Sequence, residues 1–334
     1  MIRAHHLGMA ARFLAHRFRA LHPFDVQASL LNACNLRCVY CRCPDVKIDL
    51  MTTQQWCQII QRLAAVGTMR IKFQGGEPTL RRDFCEISAV AHGAGMVTAV
   101  VTNGLEIPKR PAVLDHLDEA VFSLDAASPA LHDRLRGQGT HARVVEAIDL
   151  TIARGLRVYL AMVVTRENLT ELEPMLAFCE ARGIRMHAQP VLFDRQYYDG
   201  TVRHLGLTDD EMRSMHRRLA DWKRQGRALI FAAPTYEDAL RWPDYTVMTT
   251  RSDGESPCMA GKFYIHIEPN GDVLPCKLHG ARFTPKNLLT DGFEAALRHA
   301  QHHDCGDCFA TFLTERKDLF GLKPAALLEL IRRA

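Results

Sequence analysis

The sequence predicts an α/β protein built around a partial (β/α)6 TIM-like barrel, followed by a small module that contains a hairpin. Two observations lead to this fold class. Short β-rich runs alternate with helical stretches six times from residue 25 onward. Several helical stretches are followed by glycine, which accepts the left-handed conformation that ends a helix. Repeated strand–helix units form a parallel sheet that curls into a barrel or part of one.

The six predicted strands are rich in β-branched and other apolar residues. They cover residues 26–31, 69–74, 97–102, 120–124, 158–164 and 184–191. The helical stretches lie near 52–66, 84–92, 111–117, 141–154 and 168–182, and glycine follows several of them at positions 67, 93, 155 and 183. Asn168 with Glu171, and Thr208 with Glu211, have capping-box spacing, which predicts two helix starts.

The regular alternation stops after about residue 192. A helical, basic stretch at 208–225 leads to an apolar run at 228–233 and then to a loop rich in Pro, Asp and Thr. Asn270-Gly271 separates two apolar runs, which predicts a hairpin with both turn residues at positive φ. We therefore expect four parts: an N-terminal amphipathic helix at 1–24, a barrel at 25–200, a connector at 201–257 and a module at 258–334.

Composition indicates a globular protein with a sizeable core. Of 334 residues, 47% are apolar and 24% are charged, which is ordinary for a folded domain. No apolar run has the length of a membrane span and the start does not read as a secretory signal, so we expect a cytoplasmic protein. The net charge of +4 matches the arginines of residues 1–24, which hold no acid. The remaining chain is neutral, which argues against a nucleic-acid partner.

Residues 2–21 place Leu and Phe side chains on one helical stripe, with Arg and His opposite. We expect this helix to pack on the barrel. The alternative is a peripheral contact with an anionic membrane surface or a partner.

Eleven cysteines in a chain without an export signal indicate metal binding or catalysis. Cys34, Cys38 and Cys41 follow the first predicted strand directly. Three thiolates at this spacing can hold three irons of a cubane cluster and leave the fourth iron open, as a catalytic centre requires. A zinc knuckle is the alternative, but zinc needs a fourth ligand, and Cys43 is awkwardly spaced for the same ion.

These cysteines, with Tyr40 before the third, resemble the signature of the radical S-adenosylmethionine (radical SAM) enzymes. The resemblance continues in order along the barrel. One segment resembles the corresponding segment in the superfamily branch that acts in the maturation of molybdopterin, PQQ and sulfatases: His132-Asp133-Arg134-Leu135-Arg136-Gly137. The other matching segments are Gly75-Gly76-Glu77-Pro78, Thr102-Asn103-Gly104 and Ser123-Leu124-Asp125.

The resemblance implies a 4Fe–4S cluster on Cys34, Cys38 and Cys41, with S-adenosylmethionine (SAM) chelated to the open iron. It implies reductive cleavage of SAM to a 5′-deoxyadenosyl radical, which abstracts a substrate hydrogen. Asn103 and Ser123 have the alternative role of closing turns. The implied SAM-binding residues are Tyr40 near the adenine, Gly75 and Gly76, which let the backbone approach closely, Glu77 and Pro78 in the region of the methionyl ammonium, and Thr102, Asn103, Ser123 and Asp125 at strand ends.

The second cysteine group consists of Cys258, Cys276, Cys305 and Cys308. It resembles the opening of the SPASM module, an auxiliary cluster-binding extension of the same branch. No cysteine follows Cys308, so the resemblance implies a single closed auxiliary 4Fe–4S cluster, as in the shortened "twitch" version. Spacing alone leaves a four-cysteine zinc site open.

The expected function is radical modification of a peptide or protein, with an electron donor such as flavodoxin or ferredoxin. The alternative substrate is a small molecule, a sugar or nucleoside, or a lipid-linked compound. A non-catalytic zinc or iron–sulfur protein is the alternative of a different class.

Overall fold

The computed structural model describes residues 23–192, 200–251, 258–278 and 280–333. The predicted N-terminal helix lies outside the described residues, apart from residues 23 and 24, and so does its proposed membrane contact at residues 2–21. Among the described helices, none combines the length and the apolar character that crossing a lipid bilayer requires.

Six strands run parallel and in chain order within one sheet, as the sequence predicts. All six predicted strands are present, and their bounds differ from the prediction by no more than two residues. Their order places the carboxyl ends of all six strands at one edge of the barrel. The strands are β1 (Asp25–Ser29), β2 (Arg70–Gln74), β3 (Val97–Thr102), β4 (Glu119–Ser123), β5 (Arg157–Val164) and β6 (Arg185–Pro190).

Helices connect these strands across the outer face of the sheet. The prediction of a helix at 111–117 is wrong, because this segment is only a short 3-10 turn, Pro111–Leu114. The chain turns back to the sheet instead, since the His116 carbonyl accepts from the Thr98 hydroxyl at 2.7 Å and the Asp118 amide donates to the Thr98 carbonyl at 2.9 Å. One helix, α3, was not predicted. The helices are α1 (Thr53–Ala65), α2 (Phe84–Gly93), α3 (Pro129–Arg136), α4 (Thr140–Ala153) and α5 (Leu172–Ala181).

The two predicted capping boxes have different outcomes. Thr208 and Glu211 form one at the start of α6 (Asp209–Arg224), each side chain accepting from the other's backbone amide. At Asn168 the prediction is wrong, because its side chain makes no cap. The Asn168 amide donates instead to the carbonyls of Asp125 and Val163, and so ties the ends of β4 and β5 together.

After α7 (Ala233–Leu240) and β7 (Thr249–Arg251), the chain returns to the barrel sheet. β8 (Tyr264–Ile267) pairs parallel to β1, and β9 (Asp272–Leu274) pairs antiparallel to β8, which confirms the hairpin. The sheet therefore has nine described strands, and the hairpin extends it beyond β1. The remaining elements are β10 (Lys286–Asn287), α8 (Phe293–Ala300), β11 (Cys305–Cys308), α9 (Thr311–Phe320) and α10 (Pro324–Arg333). β11 pairs with β7 in a separate two-stranded sheet.

The hairpin turn differs from the prediction of two residues at positive φ. Gly271 has a φ of 95°, but Asn270 does not have a positive φ. The Gly271 amide donates to the carbonyl of Glu268 at 3.0 Å. Pro269 explains the difference, because its fixed φ suits the second position of a type I turn, after which glycine supplies the left-handed residue.

The two faces of the sheet have different chemistry. Val26, Ala28, Ile71 and Phe73 belong to the apolar core under the helices. Because side chains alternate along a strand, their neighbours point to the opposite, inner face, which we call the lumen. The lumen residues of β1 and β2 are polar or charged: Asp25, Gln27, Ser29, Arg70, Lys72 and Gln74.

Candidate functional site

The first cysteine group lies on the loop that leaves the carboxyl end of β1, residues 30–42, which we call the cysteine loop. Cys34, Cys38 and Cys41 are all partly exposed, whereas Leu36 between them is buried in the core. Burial raises the pKa of Cys38 to about 12. A thiol with such a pKa stays protonated at neutral pH unless a metal cation replaces the proton.

Gly75 and Gly76 let the cysteine loop approach the end of β2. A Cβ on Gly75 would lie 2.1 Å from the Leu31 carbonyl oxygen, and one on Gly76 would lie 2.2 Å from that of Ala33. The Gly76 amide donates to Leu31 at 2.7 Å, and the next amide donates to Ala33 at 2.9 Å. Glycine is therefore required at both positions because the backbone of the cysteine loop lies too close for a side chain.

Glu77 is a fully buried carboxylate that joins the ends of β2 and β3. Its Oε1 accepts from the Thr79 hydroxyl at 2.6 Å and from the Thr102 hydroxyl at 2.8 Å. Its Oε2 accepts from the Asn103 amide at 2.7 Å. Burial raises the pKa of Glu77, and these donors oppose the shift. Pro78 is buried at the start of the short turn that follows.

Asn103 connects this carboxylate to the first cysteine. Its side-chain amide donates to Oδ1 of Asn35 at 2.7 Å and lies 3.8 Å from the sulfur of Cys34. Its Oδ1 accepts from the Leu105 amide at 3.0 Å, so Asn103 also closes a turn. The turn-closing role of Asn103 is therefore present, and its contact with SAM stays a prediction.

Asp125 is a second buried carboxylate, placed at the end of β4. It accepts from the Tyr40 hydroxyl at 2.5 Å, from the Arg136 guanidinium at 2.6 and 3.0 Å, and from the Val163 amide at 2.9 Å. Asp125 has no exposed surface. Both of its oxygens are occupied by protein donors, so this carboxylate holds the cysteine loop in place.

Arg136 was not selected as a site residue from the sequence, although it lies in a matching segment. Its guanidinium is 3.9 Å from the sulfur of Cys38 and 5.7 Å from the centre of the Tyr40 ring. Nearby His132 is fully buried, and burial lowers its pKa to about 4, so its ring is neutral. The neutral His132 Nδ1 accepts from the Asp125 amide at 3.2 Å.

Ser123 is the remaining predicted contact at a strand end. It is half-buried at the last position of β4, beside Ala161 of β5. The residues predicted around the first cysteine group thus occupy neighbouring carboxyl ends of the barrel strands. Asn103, Asp125 and the amides of Gly76 and Glu77 bond to the cysteine loop. Ser123 is on the lumen side of β4.

The second cysteine group comes together around Tyr264. Cys258, Cys276, Cys305 and Cys308 are all buried, and together we call them the auxiliary site. The Cys258 sulfur is 3.4 Å from the Tyr264 hydroxyl. The pKa of Cys258 lies below its ordinary value because the thiol of Cys305 donates a hydrogen bond to it. The pKa of Tyr264 is raised well above its ordinary value, first by burial and then by the charges of nearby thiolates.

His303 lies between two segments of the auxiliary site. Its Nε2 lies 3.0 Å from the Ala260 carbonyl, and its Nδ1 accepts from the Cys305 amide at 3.3 Å. The ring therefore bridges the segment after Cys258 and the segment that begins at Cys305.

A buried polar cluster in the lumen lies between the two cysteine groups. The His266 Nε2 is 3.2 Å from both the Ser29 hydroxyl and Oε1 of Glu268. Lys277, the residue after Cys276, donates to the same hydroxyl at 3.4 Å. Cys43 is buried near the ammonium of Lys277, and burial raises its pKa to about 12. This cluster was not predicted from the sequence, although the alternation of polar and apolar residues in β1 and β2 is a signal that could have indicated a polar lumen.

The two cysteine groups have the composition that iron–sulfur clusters require. Across the described ranges, no three His, Cys, Asp or Glu side chains are placed to hold one metal ion. The cysteine loop offers three thiols with partly exposed surfaces, and the auxiliary site offers four buried thiols. Thiolates are the usual protein ligands of iron–sulfur clusters, and a set of three leaves one iron open.

The chain is similar to several known proteins. It is 28% identical over 279 residues to the PqqA peptide cyclase of Gluconobacter oxydans, which covers 79% of this chain and 72% of that protein. It is 29% identical over 299 residues to the mycofactocin maturase MftC of Mycolicibacterium smegmatis, which covers 84% of this chain and 71% of that protein.

Solved structures share the fold. Streptococcus suis SuiB bound to S-adenosylmethionine aligns with a TM-score of 0.64 and 20% identity, over 85% of this chain and 68% of that one. Native anSMEcpe with bound AdoMet aligns with a TM-score of 0.63 and 15% identity, over 92% of this chain and 99% of that one.

One family model matches the barrel, and it describes the radical SAM superfamily. The matched range begins at the last residue of β1 and ends within α5, so it includes the cysteine loop and both buried carboxylates. The chain therefore carries a radical SAM domain over residues 29–179.

Proposed function

We propose that this chain is a radical SAM enzyme that modifies a peptide or protein. The observation that carries the proposal is the cysteine loop, which holds three thiols at the carboxyl edge of a radical SAM barrel. The named relatives favour the substrate class, since two of them are a peptide cyclase and a maturase. A small-molecule, sugar, nucleoside or lipid-linked substrate is the second candidate.

The residues present fit the cofactors of a radical SAM domain. Cys34, Cys38 and Cys41 would hold a 4Fe–4S cluster, and their three thiols leave a position for SAM. When bound, the cluster and SAM supply a 5′-deoxyadenosyl radical that abstracts a hydrogen atom from the substrate. Residues that would line the SAM site are Tyr40, Gly75, Gly76, Glu77, Pro78, Thr102, Asn103 and Ser123, with Asp125 behind them.

The protein side chains hold the cysteine loop from two directions. Glu77 and Asn103 act on the segment around Cys34, and Asp125 and Arg136 act on the segment around Cys38. The guanidinium beside the Cys38 sulfur opposes the rise in its pKa and thereby favours the thiolate that binds iron. A loop held in this way needs little rearrangement when the cofactor binds.

The auxiliary site would hold a second 4Fe–4S cluster through Cys258, Cys276, Cys305 and Cys308. Four thiols would leave no iron of such a cluster open, so the cluster would not contact the substrate directly. A structural zinc ion is the alternative, because four cysteines also suit tetrahedral zinc. We assign 25–200 to the barrel, 201–257 to a connector and 258–334 to the auxiliary module, although the hairpin of that module pairs with β1.

The partners follow from this chemistry. We propose an electron donor such as flavodoxin or ferredoxin, because the radical step begins with one electron from outside the protein. We also propose a cytoplasmic location, where clustered thiols stay reduced.

The test is anaerobic reconstitution with iron, sulfide, SAM and a reductant, followed by measurement of 5′-deoxyadenosine. The parent protein should form it, and Cys34→Ala, Cys38→Ala and Cys41→Ala should not. Cys57→Ala is the matched control, because Cys57 lies on α1 and is remote in sequence from both groups. Equal loss in the control would refute the ligand assignment. Incubation with short candidate peptides, and separately with small metabolites, then decides between the two substrate classes.

A further inference from the structure

We call the end of the lumen at the amino ends of the strands its floor. The charged side chains there are more often positive than negative. Arg70 of β2 pairs with Asp25 at 3.5 Å and with Glu119 at 2.5 Å. Arg316 of α9 pairs with Asp25 at 2.9 Å, and Arg157 of β5 pairs with Glu119 at 3.1 Å. The two carboxylates are therefore shared among three arginines.

Lys72 lies in the same lumen but forms no ion pair with either carboxylate. Within the described part of the chain, its ammonium makes no hydrogen bond or ion pair. It is one of the inward residues of β2, flanked by Gln27 of β1 and by the small Ala99 of β3. Lys72 keeps some exposed surface, and the alternation along β2 directs its side chain into the lumen.

The surroundings of Lys72 disfavour its charge. Its pKa is lowered to about 7, first by burial and then by the charges of Arg70 and Arg316, against the opposing effect of the carboxylates. An anion that enters this space would meet uncompensated positive charge in a medium that screens poorly. The charged groups that face Lys72 are Arg70 on its own strand, Asp25 on β1, Glu119 on β4 and Arg316 on α9.

We propose that Lys72 binds a carboxylate group of the substrate inside the lumen. This inference rests on the proposed function, because it assumes that a substrate enters the barrel. Lys72 is two residues before Gln74, and Gln74 leads directly into Gly75 and Gly76, where the cysteine loop docks. A carboxylate held by Lys72 therefore anchors the substrate on the barrel floor, below the loop where the radical forms.

A bound carboxylate would also change the protonation of Lys72. An opposite charge within a few ångströms favours the ammonium form, so binding should raise the pKa of Lys72 from about 7. The neutral amine reacts with acylating reagents and the ammonium does not. Reactivity as a function of pH therefore reports carboxylate binding without any enzyme turnover.

The probes are N-acetylglutamate and its uncharged analogue N-acetylglutamine. Anaerobically reconstituted protein is treated with trace acetic anhydride across a pH series, and acetylation of Lys72 is measured by mass spectrometry. The midpoint should lie near 7 without ligand. N-acetylglutamate should raise the midpoint by about one pH unit or more, and N-acetylglutamine should not. A midpoint that neither probe moves, or that both move equally, would overturn the proposal.

Equilibrium dialysis of N-acetylglutamate provides a second test with variants. Lys72→Met should weaken binding by about tenfold or more, because it removes a charged hydrogen-bond donor. Lys72→Arg keeps the charge and should retain most of the affinity. Lys109→Met, at a largely exposed lysine, is the control and should bind as the parent does. Parent-like binding by Lys72→Met would overturn the proposal.

These outcomes are separable from a failure of the proposed function. Acetylation and dialysis require no SAM cleavage, and neither reading depends on activity. A protein that shifts the Lys72 midpoint but forms no 5′-deoxyadenosine would refute the proposed function alone. A protein that forms 5′-deoxyadenosine but shows no shift would refute the carboxylate site alone.

Discussion

The Tyr40 hydroxyl donates a 2.5 Å hydrogen bond to Oδ2 of Asp125, across 85 residues of sequence. Tyr40 lies on the cysteine loop, one residue before Cys41, and Asp125 lies just beyond β4. The bond therefore fixes the second half of the cysteine loop to a strand end on the opposite side of β2 and β3. Glu77 and Asn103 fix the first half.

Tyr40→Phe should destabilise the loop while leaving Asp125 paired with Arg136. Loss of a buried hydrogen bond to a charged group should lower the free energy of unfolding by about 1.5–3 kcal/mol. Displacement of the loop should slow 5′-deoxyadenosine formation about tenfold or more. Tyr245→Phe is the matched control, since it removes hydrogen bonds to the Ala239 and Leu240 carbonyls, at 2.7 and 3.3 Å. It should leave SAM cleavage unchanged in the absence of substrate, and an equal loss there would contradict the role of Tyr40.

Gly76→Ala should displace the cysteine loop, because the added Cβ would lie 2.2 Å from the Ala33 carbonyl oxygen. Iron in reconstituted protein should fall from about eight to about four atoms per chain, if the auxiliary site keeps its own cluster. Gly93→Ala is the control, because nothing lies within 4 Å of its added Cβ and alanine favours the helix. Unchanged iron in Gly76→Ala would show that the close approach does not govern cluster binding.

The strands and the cysteine positions could be predicted from the sequence, because both depend on local patterns. Runs of β-branched residues predicted all six barrel strands, and the spacing of Cys34, Cys38 and Cys41 predicted one loop. The bonds that hold this loop could not be predicted. Asp125 reads as a ligand contact at a strand end, and only the folded chain shows that Tyr40 and Arg136 occupy its oxygens.

The partners of the two glycines and of the charged lumen residues could not be predicted from the sequence either. The close approach expected at Gly75 and Gly76 is present, but the partner is the cysteine loop, which lies over 40 residues earlier in the chain. The ion pairs of the lumen depend on which strands and helices meet there. Arg316 reaches Asp25 only because α9 lies against the start of β1, a contact that local patterns do not encode.

His216 on α6 should make the protein less stable in acid. It is fully buried, and neither ring nitrogen has a hydrogen-bond partner in the described ranges. Burial lowers its pKa from 6.5 to about 3. The unfolded chain therefore binds the extra proton between these values, so stability falls as the pH falls through this window.

Between about pH 6.5 and about pH 5, this single group should remove up to about 2 kcal/mol from the free energy of unfolding. His216→Phe should abolish that part of the pH dependence, as measured by urea unfolding at both pH values. His302→Phe, at an exposed ring, is the control. An identical pH dependence in His216→Phe and the parent would contradict the buried neutral ring.

The auxiliary site should matter for substrate conversion more than for SAM cleavage. Cys276→Ala and Cys305→Ala each remove a thiol of the auxiliary site, while the cysteine loop keeps its three. Uncoupled 5′-deoxyadenosine formation should persist, and formation of the modified product should fall much further. Product at the parent rate in the double variant would limit the auxiliary site to a structural role. Zinc in place of iron, by elemental analysis, would refute the second cluster.

The most direct measurement is electron paramagnetic resonance of the reduced protein with and without SAM. In Cys276→Ala/Cys305→Ala the signal should come from the cluster on the cysteine loop, with its open iron available to SAM. Addition of SAM should shift the g values of that signal, because the amino and carboxylate groups of SAM then coordinate the iron. A reduced cluster whose spectrum is identical with and without SAM would contradict the assignment of Cys34, Cys38 and Cys41 as the SAM-binding centre.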